Sequence, residues 1–354
     1  MARILYGVHG TGHGHAVRAL TVARHYPQHQ FLFVSHSHGA ELLKREYPLV
    51  ECYNPETLVV AHHVKPLATA MSMLRTWGRQ PALTRMLLRE IERFQPDAAI
   101  TDYEYFVPRA CRAAGLPCLS LDHQHIVTCS LHNVPLHQLA SYISTTVAIR
   151  GLFSTASAYL VISFFHPPLR PNAKARVVPP ILRENVFRQS ASDGGHVLAY
   201  HAYATSPGFY DFLRAIPRPV KVYGSNRTGS EGNLQFRPRS EDGLLADLAS
   251  CAYIICSSGH TIISEALYFG KPSLVVPVSG AFEEFINAHY IETLGYGRCH
   301  EGLSPPASLI PEIESNLDRY RKNIRVENFC GNAEVFGLLD AFIERKTLPC
   351  ACSS

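Results

Sequence analysis

Short, continuous apolar runs separated by stretches of helical period constrain this chain more than any other feature. ILYGV within residues 2–8, QFLFVS (30–35), DAAIT (97–101), PCLSLD (117–122) and AYLVIS (158–163) show little of the polar–apolar alternation of a half-solvated strand. Runs of that kind need cover on both faces, which a parallel sheet flanked by helices supplies. Between the first two runs, GHAVRALTVARHY (14–26) places Ala16, Ala19, Leu20 and Ala23 on one helical face. A further helix is expected from Ala40, and a long basic one from about Ala68 to Phe94, which Pro81 should break or kink. A second series follows, HVLAY (196–200), PVKVYG (219–224), AYIICS (252–257) and PSLVVPV (272–278), with helices expected near 208–216, 243–250, 261–269 and 282–294. The reading is α/β: two parallel sheets with right-handed crossovers, facing each other across a cleft lined by loops at the carboxyl ends of the strands. HPPLRPNAKARVVPPILRE (166–184) is crowded with Pro and basic residues and reads as a linker. The expected boundaries are 1–165 for the first domain, 166–185 for the linker and 186–325 for the second domain.

A length of 354 residues with 46% hydrophobic and 18% charged residues suits two buried cores and excludes a disordered chain. Arg3 leads straight into a strand, so no secretory leader is expected, and the ten scattered cysteines suit a reducing cytoplasm. The most apolar stretch, Ala140 to Phe165, is interrupted by Arg150 and reads as a buried helix plus strand, not a membrane span. Cys350 and Cys352 flank position 351, where a prenylation signal would need Cys and the chain has Ala. Charge is uneven. Residues 1–183 carry 18 Lys/Arg against 10 Asp/Glu, whereas 184–354 carry 15 against 19. No acid occurs from His123 to Arg183, which holds Arg150, Arg170, Lys174, Arg176 and Arg183, or between Thr57 and Arg89, which holds Lys65, Arg75, Arg79, Arg85 and Arg89. A basic front half suits an anionic partner such as phosphate, a lipid head group or nucleic acid; solvated faces are the plainer alternative.

Four constellations carry chemistry. The first is GVHGTGHGHAVR (7–18), directly after the first strand. Gly10, Gly12 and Gly14 permit a tight turn, close backbone approach and a helix amino terminus open to negative charge. The spacing fits neither a dinucleotide fingerprint nor a P-loop. His9, His13 and His15 lie within it, and imidazole is the side chain best suited to move a proton near neutrality. A turn whose histidines merely cap the helix is the competing reading. The second is Asp102 at the end of one strand and Asp122 at the end of the next, before His123 and His125. Either carboxylate is placed to orient a histidine, as in a triad, or to cap the following helix. The third, Ser257, Ser258, Gly259, His260 and Thr261 between a strand and a helix, makes a diphosphate cradle. Glu265, expected on the first turn of that helix, can accept two hydrogen bonds from a ribose diol, or simply favour the dipole. In the fourth, Glu283, Glu284 and Asn287 suit vicinal sugar hydroxyls. Paired histidines (His13 with His15, His36 with His38, His62 with His63, His123 with His125) raise a metal reading, but the Cys spacing of a structural zinc site is missing and no metal is assigned.

With these in place the chain resembles the GT-B nucleotide-sugar glycosyltransferases, in particular the teichoic-acid-biosynthesis glycosyltransferases. More remotely it is similar to the peptidoglycan N-acetylglucosaminyltransferase that acts on lipid I. The resemblance spans nearly the whole chain: ILYGVHGTGHGHAVRAL at the opening, LPCLSLDHQH in the middle, VISFFHPP and VVPPILR before the second half, and CSSGHTIISEALYFGKPSLVVPVSGAFEEFINAHYIETLGYG, the most specific, in the donor region. It implies His15 near the reacting centre; on the residues alone His13, two positions earlier on the same turn, is its close competitor, and Asp102 or Asp122 could orient either ring. Ser258, Gly259, His260 and Thr261 match the diphosphate loop, Glu265 the ribose-binding position, and Glu283, Glu284 and Asn287 the sugar-reading segment. The family more often has Glu-Gln there, so Glu284 is a departure that bears on the donor sugar. Phe236 and Arg237, just after a short strand, match the segment whose backbone reads the base. Residues 326–350 match the family's final helix, which crosses back onto the first domain.

The implied reaction is inverting and metal-independent, with no cofactor. A UDP-sugar would be held by its diphosphate at the helix amino terminus, and an acceptor hydroxyl would be deprotonated by a base in the glycine turn. The acceptor would be anionic or lipid-linked and the protein cytoplasmic, with peripheral contact at the inner membrane face; nucleic acid is set aside as a partner. Two alternatives stand beside this: a non-hydrolysing UDP-GlcNAc 2-epimerase, and a non-catalytic nucleotide-sugar-binding subunit.

Overall fold

The computed structural model describes residues 1–55, 59–60, 63–64, 66–200 and 207–348. His62, Lys65, Cys350 and Cys352 lie outside the described residues, as does the side chain of Arg75. The chain divides into two units, one of Met1–Leu58, Lys65–Arg183 and Cys330–Ser354, the other of Val59–Val64 and Glu184–Phe329.

In the first unit the described strands are β1 (Arg3–Val8), β2 (Gln30–Ser35) and β3 (Leu49–Glu51), then, after the short hairpin β4 (Val59–Val60) and β5 (His63–Val64) that groups with the second unit, β6 (Ala98–Asp102), β7 (Cys118–Asp122), β8 (Ala158–Ile162) and β9 (Ala175–Val178). They form one parallel sheet in the order β3-β2-β1-β6-β7-β8-β9. Burial on both faces explains the unbroken apolar runs. From β1, Ile4, Tyr6 and Val8 pack with Ala16, Ala19 and Leu20 of the helix Gly14–His25, while Leu5 faces the opposite cluster of Leu87, Ile91 and Val107. The helix Asn332–Arg345 completes the first cluster through Phe336, Leu339 and Phe342. Its entry is fixed by Asn332, whose side chain bonds the Leu182 N–H and C=O at 2.8 Å each, and its middle by the Tyr26 hydroxyl donating to the Phe336 carbonyl at 2.9 Å.

Three local expectations are corrected. The segment read as a linker, 166–185, contains β9, whose Val177 and Val178 pair with Val161 and Ile162 at the sheet edge. The unit boundary falls instead between Arg183 and Glu184. Pro81 does not break its helix, which runs unbroken over Pro66–Phe94. Ala140 to Phe165 is not a buried helix plus strand: the helix Leu139–Ala148 buries no residue, and a π-helical turn, Ile149–Phe153, separates it from β8. Among the described residues no helix is long and apolar enough to cross a membrane.

The second unit repeats the plan. Its strands are β10 (Val197–Tyr200), β11 (Val220–Tyr223), β12 (Gly229–Glu231), β13 (Leu234–Phe236), β14 (Tyr253–Cys256), β15 (Ser273–Val275) and β16 (Gly297–Cys299), in the order β12-β13-β11-β10-β14-β15-β16. Only the edge pair β12–β13 is antiparallel. Val197, Ala199, Val220, Val222, Leu234 and Leu274 form the core with Phe209, Phe212 and Leu317.

Candidate active site

In the first unit the chain steps from β1 outward to β2 and β3, then returns to β6 on the other side of β1. Loops leaving β1 and β6 therefore diverge, opening a crevice at the carboxyl ends of these two strands. Val8 pairs with Asp102 across it, and the His9 N–H donates to the Asp102 carbonyl at 2.9 Å. The glycine turn begins here. At Gly10 a Cβ would lie 1.9 Å from the His36 carbonyl oxygen, and Gly12 has a φ of +81°, so both positions demand glycine.

The turn delivers two side chains of the helix Gly14–His25 to Asp102. Arg18 grips the carboxylate with both prongs, Nε to Oδ2 and Nη2 to Oδ1, each at 2.7 Å. His15 places Nδ1 2.7 Å from Oδ1, with side-chain exposures of 14% for His15 and 0% for Asp102. Burial works against the Arg18 charge, but Asp102 outweighs it and holds the guanidinium protonated more firmly than usual. An imidazole nitrogen that close to a carboxylate oxygen carries the proton, because two facing lone pairs would repel. Arg18 Nη2 also lies 3.1 Å from Nδ1, but the nearer Asp102 Oδ1 accepts from both groups; with the proton on Nδ1 the lone pair is on Nε2, which bonds nothing among the described residues. This is the arrangement of an oriented general base.

Aromatic rings wall the pair. Tyr103, held at a φ of +52°, lies parallel to His15 at 6.3 Å and stacks on Phe153 at 3.9 Å. The His9 ring stands edge-on to His15 and to His36 at 5.3 Å each. Burial first, then the neighbouring His15 and His36, push the His9 imidazole well below its ordinary range. Its Nδ1 accepts the Asn54 amide at 2.9 Å, as a neutral ring can. His13 is exposed at the helix start, makes no capping bond through its side chain and lies 5.9 Å from the His38 ring.

The two aspartates part company. Asp102 caps no helix; Glu104 does so, accepting from the Phe106 N–H at 2.8 Å and from the Val107 N–H, and burial pushes its carboxyl up to about 7. Asp122 contacts neither His13 nor His15. It accepts from its own neighbour His125, Nδ1 to Oδ2 at 2.7 Å and the backbone N–H to Oδ1 at 2.9 Å, and from Ser120 Oγ. Burial would raise this carboxyl, but His125 prevails and holds it below the usual range. The expectation that Asp122 orients a glycine-turn ring is therefore corrected: β7 lies one strand farther out, and an imidazole three residues on captures its carboxylate. Arg18 and Tyr103 received no role from the sequence; the i, i+3 spacing of His15 and Arg18 was the available signal.

The second unit has its own switch point between β10 and β14. The loop after β14 carries Ser257, Ser258 and Gly259 into the helix His260–Tyr268, whose first N–H groups meet no side-chain cap from Gly259. Thr261 sits half-buried in the first turn. Glu265 is the sixth residue of this helix and buried, so the first-turn placement is corrected and the dipole loses its force as an explanation. Asn287 ties the loop down, its amide donating to the Ser258 carbonyl at 2.9 Å and to Glu283 Oε1 at 3.0 Å. Glu284 Oε2 accepts from the Val278 N–H at 2.8 Å and from Ser258 Oγ at 3.4 Å, and burial raises its carboxyl. The trio expected to read a sugar thus already braces the loop. Phe236 is the last residue of β13, and the Arg237 N–H donates to the Val222 carbonyl at 2.9 Å. Among the described residues no group of three or more His, Cys, Asp or Glu side chains could hold a metal ion.

Residues 2–309 match the family described as glycosyl transferase family 1. The chain belongs to this family. An uncharacterized glycosyltransferase of Methanosarcina mazei is 22% identical over 354 residues, covering 91% of this chain and 93% of its own length. Among solved structures, MurG of Acinetobacter baumannii overlays with a TM-score of 0.62 at 16% identity, covering 96% of this chain and 99% of its own. The glycosyltransferase VinC, solved in complex with DTDP, does so with a TM-score of 0.62 at 17% identity, over 97% and 100%. These structures share the α/β GT-B fold with this chain, and as a member of family 1 the protein is a glycosyltransferase.

Proposed function

We propose that this family 1 enzyme moves a sugar from a UDP-sugar to an acceptor hydroxyl by direct, inverting displacement without a metal ion. The observation that carries the reading is His15, pinned through Nδ1 to buried Asp102 with Nε2 left open at a switch point. The acceptor hydroxyl gives its proton to Nε2; its oxygen attacks the anomeric carbon as the bond to the diphosphate oxygen breaks, and the nucleoside diphosphate leaves with that electron pair. Asp102 stabilises the imidazolium that forms. Arg18 holds the Asp102 carboxylate in place against His15. In the second unit, the N–H groups opening the helix His260–Tyr268, with Ser257, Ser258 and Thr261, receive the diphosphate, whose leaving charge the helix terminus stabilises in place of a metal. Buried Glu265 is assigned to the ribose, and the chain beside Phe236 and Arg237 to the base.

VinC, solved with DTDP, supports a pyrimidine nucleotide, and a ribose-binding carboxylate favours UDP within that class. The teichoic-acid resemblance and the basic first half support an anionic or lipid-linked acceptor. The test is turnover of the tightest-binding UDP-sugar with candidate acceptors. His15→Ala is expected to lower turnover by about 10²–10⁴, the range for lost acid–base catalysis. Near-normal turnover in His15→Ala with a dead His13→Ala moves the base two residues. Interconversion of UDP-sugars without acceptor returns the epimerase, and binding without turnover the binding subunit.

A further inference from the structure

Two imidazoles line the first crevice, and their neighbours hold them in opposite protonation patterns. Asn54, on the chain leaving β3, is wholly buried. Its Oδ1 accepts from the Tyr105 N–H at 3.1 Å, and a backbone N–H can only donate. The amide nitrogen is therefore the end that meets His9 Nδ1 at 2.9 Å. His9 Nδ1 is an acceptor, and the single proton of this neutral ring sits on Nε2. That nitrogen bonds nothing among the described residues and is not sealed from solvent, His9 keeping 8% of its surface. The ring is fixed in place: its backbone N–H is tied to the Asp102 carbonyl at 2.9 Å, and the rings of His15 and Tyr103 stand edge-on to it at 5.3 and 5.7 Å. His15 is the reverse case, protonated on Nδ1 toward Asp102 with its lone pair on Nε2. The crevice thus presents one fixed N–H donor beside one fixed acceptor.

We propose that His9 binds the acceptor hydroxyl together with His15 and sets its direction of attack, an inference that rests on the transferase reading of this site. An alcohol oxygen carries one O–H and two lone pairs. The O–H meets His15 Nε2 and one lone pair meets the His9 Nε2–H, which leaves the second lone pair to form the bond to the anomeric carbon. As the proton passes to His15, the His9 N–H stabilises the charge that grows on the oxygen and gives up no proton itself. Burial, the largest cause, keeps the His9 ring neutral, and Asn54 occupies its one lone pair, so it donates without competing for the hydroxyl proton.

The experiment compares His9→Gln and His9→Met with wild type in the full chain. The two replacements are of similar length, and both leave the Asn54 amide without its acceptor, so that cost is common to them. Only Gln restores an N–H donor near the position of Nε2, and neither side chain can take a proton. Donor and acceptor are the pair with the highest wild-type turnover among the UDP-sugars and candidate alcohols. His9→Met is expected to lower kcat/KM for the acceptor about tenfold or more, the scale of one hydrogen bond, with UDP affinity unchanged by calorimetry. His9→Gln is expected to recover most of that loss. In parallel, nitrogen-15 spectra of the histidine-labelled chain, with His9 assigned by its disappearance in His9→Met, should place its proton on Nε2 at pH 7 and that of His15 on Nδ1. A His9 proton on Nδ1 overturns the proposal. So does an equal loss in the Gln and Met variants, which would make the ring a brace for Asn54 and no more. Transfer that is indifferent to both replacements fails this inference alone, whereas a wild type that binds UDP yet transfers to no hydroxyl fails the transferase reading and this inference with it.

Discussion

The two units put their candidate sites at the same topological position and fill them with opposite chemistry. At the β1/β6 switch point two ionisable groups, Arg18 and His15, converge through 2.7 Å contacts on the buried Asp102 carboxylate. At the β10/β14 switch point the loop offers hydroxyls and main-chain N–H groups at a helix start, braced from behind by Asn287 and Glu284. A buried charge network fixes one imidazole and leaves it one open nitrogen, which suits moving a proton. A helix terminus that takes no side-chain cap from Gly259 offers several fixed dipoles, which suits holding an anion. Topology decides where a site opens, and the loop residues decide what it does there.

Removing Arg18 should break this contrast most severely. Arg18→Met leaves a buried carboxylate with His15 as its only remaining side-chain hydrogen-bond partner among the described residues, and breaking a buried pair costs about 3–5 kcal/mol, read as thermal unfolding. Without the guanidinium the carboxylate is held less firmly against His15, so turnover should fall as well; unchanged turnover would remove Arg18 from the catalytic machinery. Next in size is Glu104, which caps the helix Val107–Ala114 beside the same site. Its carboxyl is raised from 4.5 to about 7, so the folded state binds the proton more tightly than the unfolded one. Its contribution is complete below the unfolded value and lost as pH rises through 7, a span of about 3 kcal/mol. Unfolding measured between pH 4 and 8 should show this decline in wild type and lose it in Glu104→Gln. The second site responds more mildly. Glu284→Ala leaves the Val278 N–H without its acceptor, for about 1–3 kcal/mol of stability. We expect a similar loss of affinity for every UDP-sugar; a changed ranking among sugars would return Glu284 to sugar selection.

Most strands were legible because doubly buried parallel strands announce themselves by unbroken apolar runs, and the glycine turn by its three glycines. What escaped was set by tertiary contacts. Val177 and Val178 look like linker between prolines and arginines until β8 offers them an edge. Pro81 sits inside a helix that continues around it. The apolar helix Leu139–Ala148 lies on the surface, which composition alone does not reveal. At the first site His15 and Asp102 stood out by residue type, but their pairing is a contact across 87 residues. Asp122 looked equivalent to Asp102 because each ends a strand; strand order and the i+3 imidazole separate them. At the second site the burial of Glu265 and the bracing by Asn287 depend on helix register and packing that no local motif states.

The division of labour between the units is tested most directly by calorimetric UDP affinity in His15→Ala and Glu265→Ala, measured beside turnover. The account predicts that His15→Ala binds UDP like wild type while turnover collapses. It predicts that Glu265→Ala loses about 1–3 kcal/mol of UDP affinity, the scale of hydrogen bonds to a charged group. Equal loss of UDP affinity in both variants, or an intact affinity in Glu265→Ala, would contradict it.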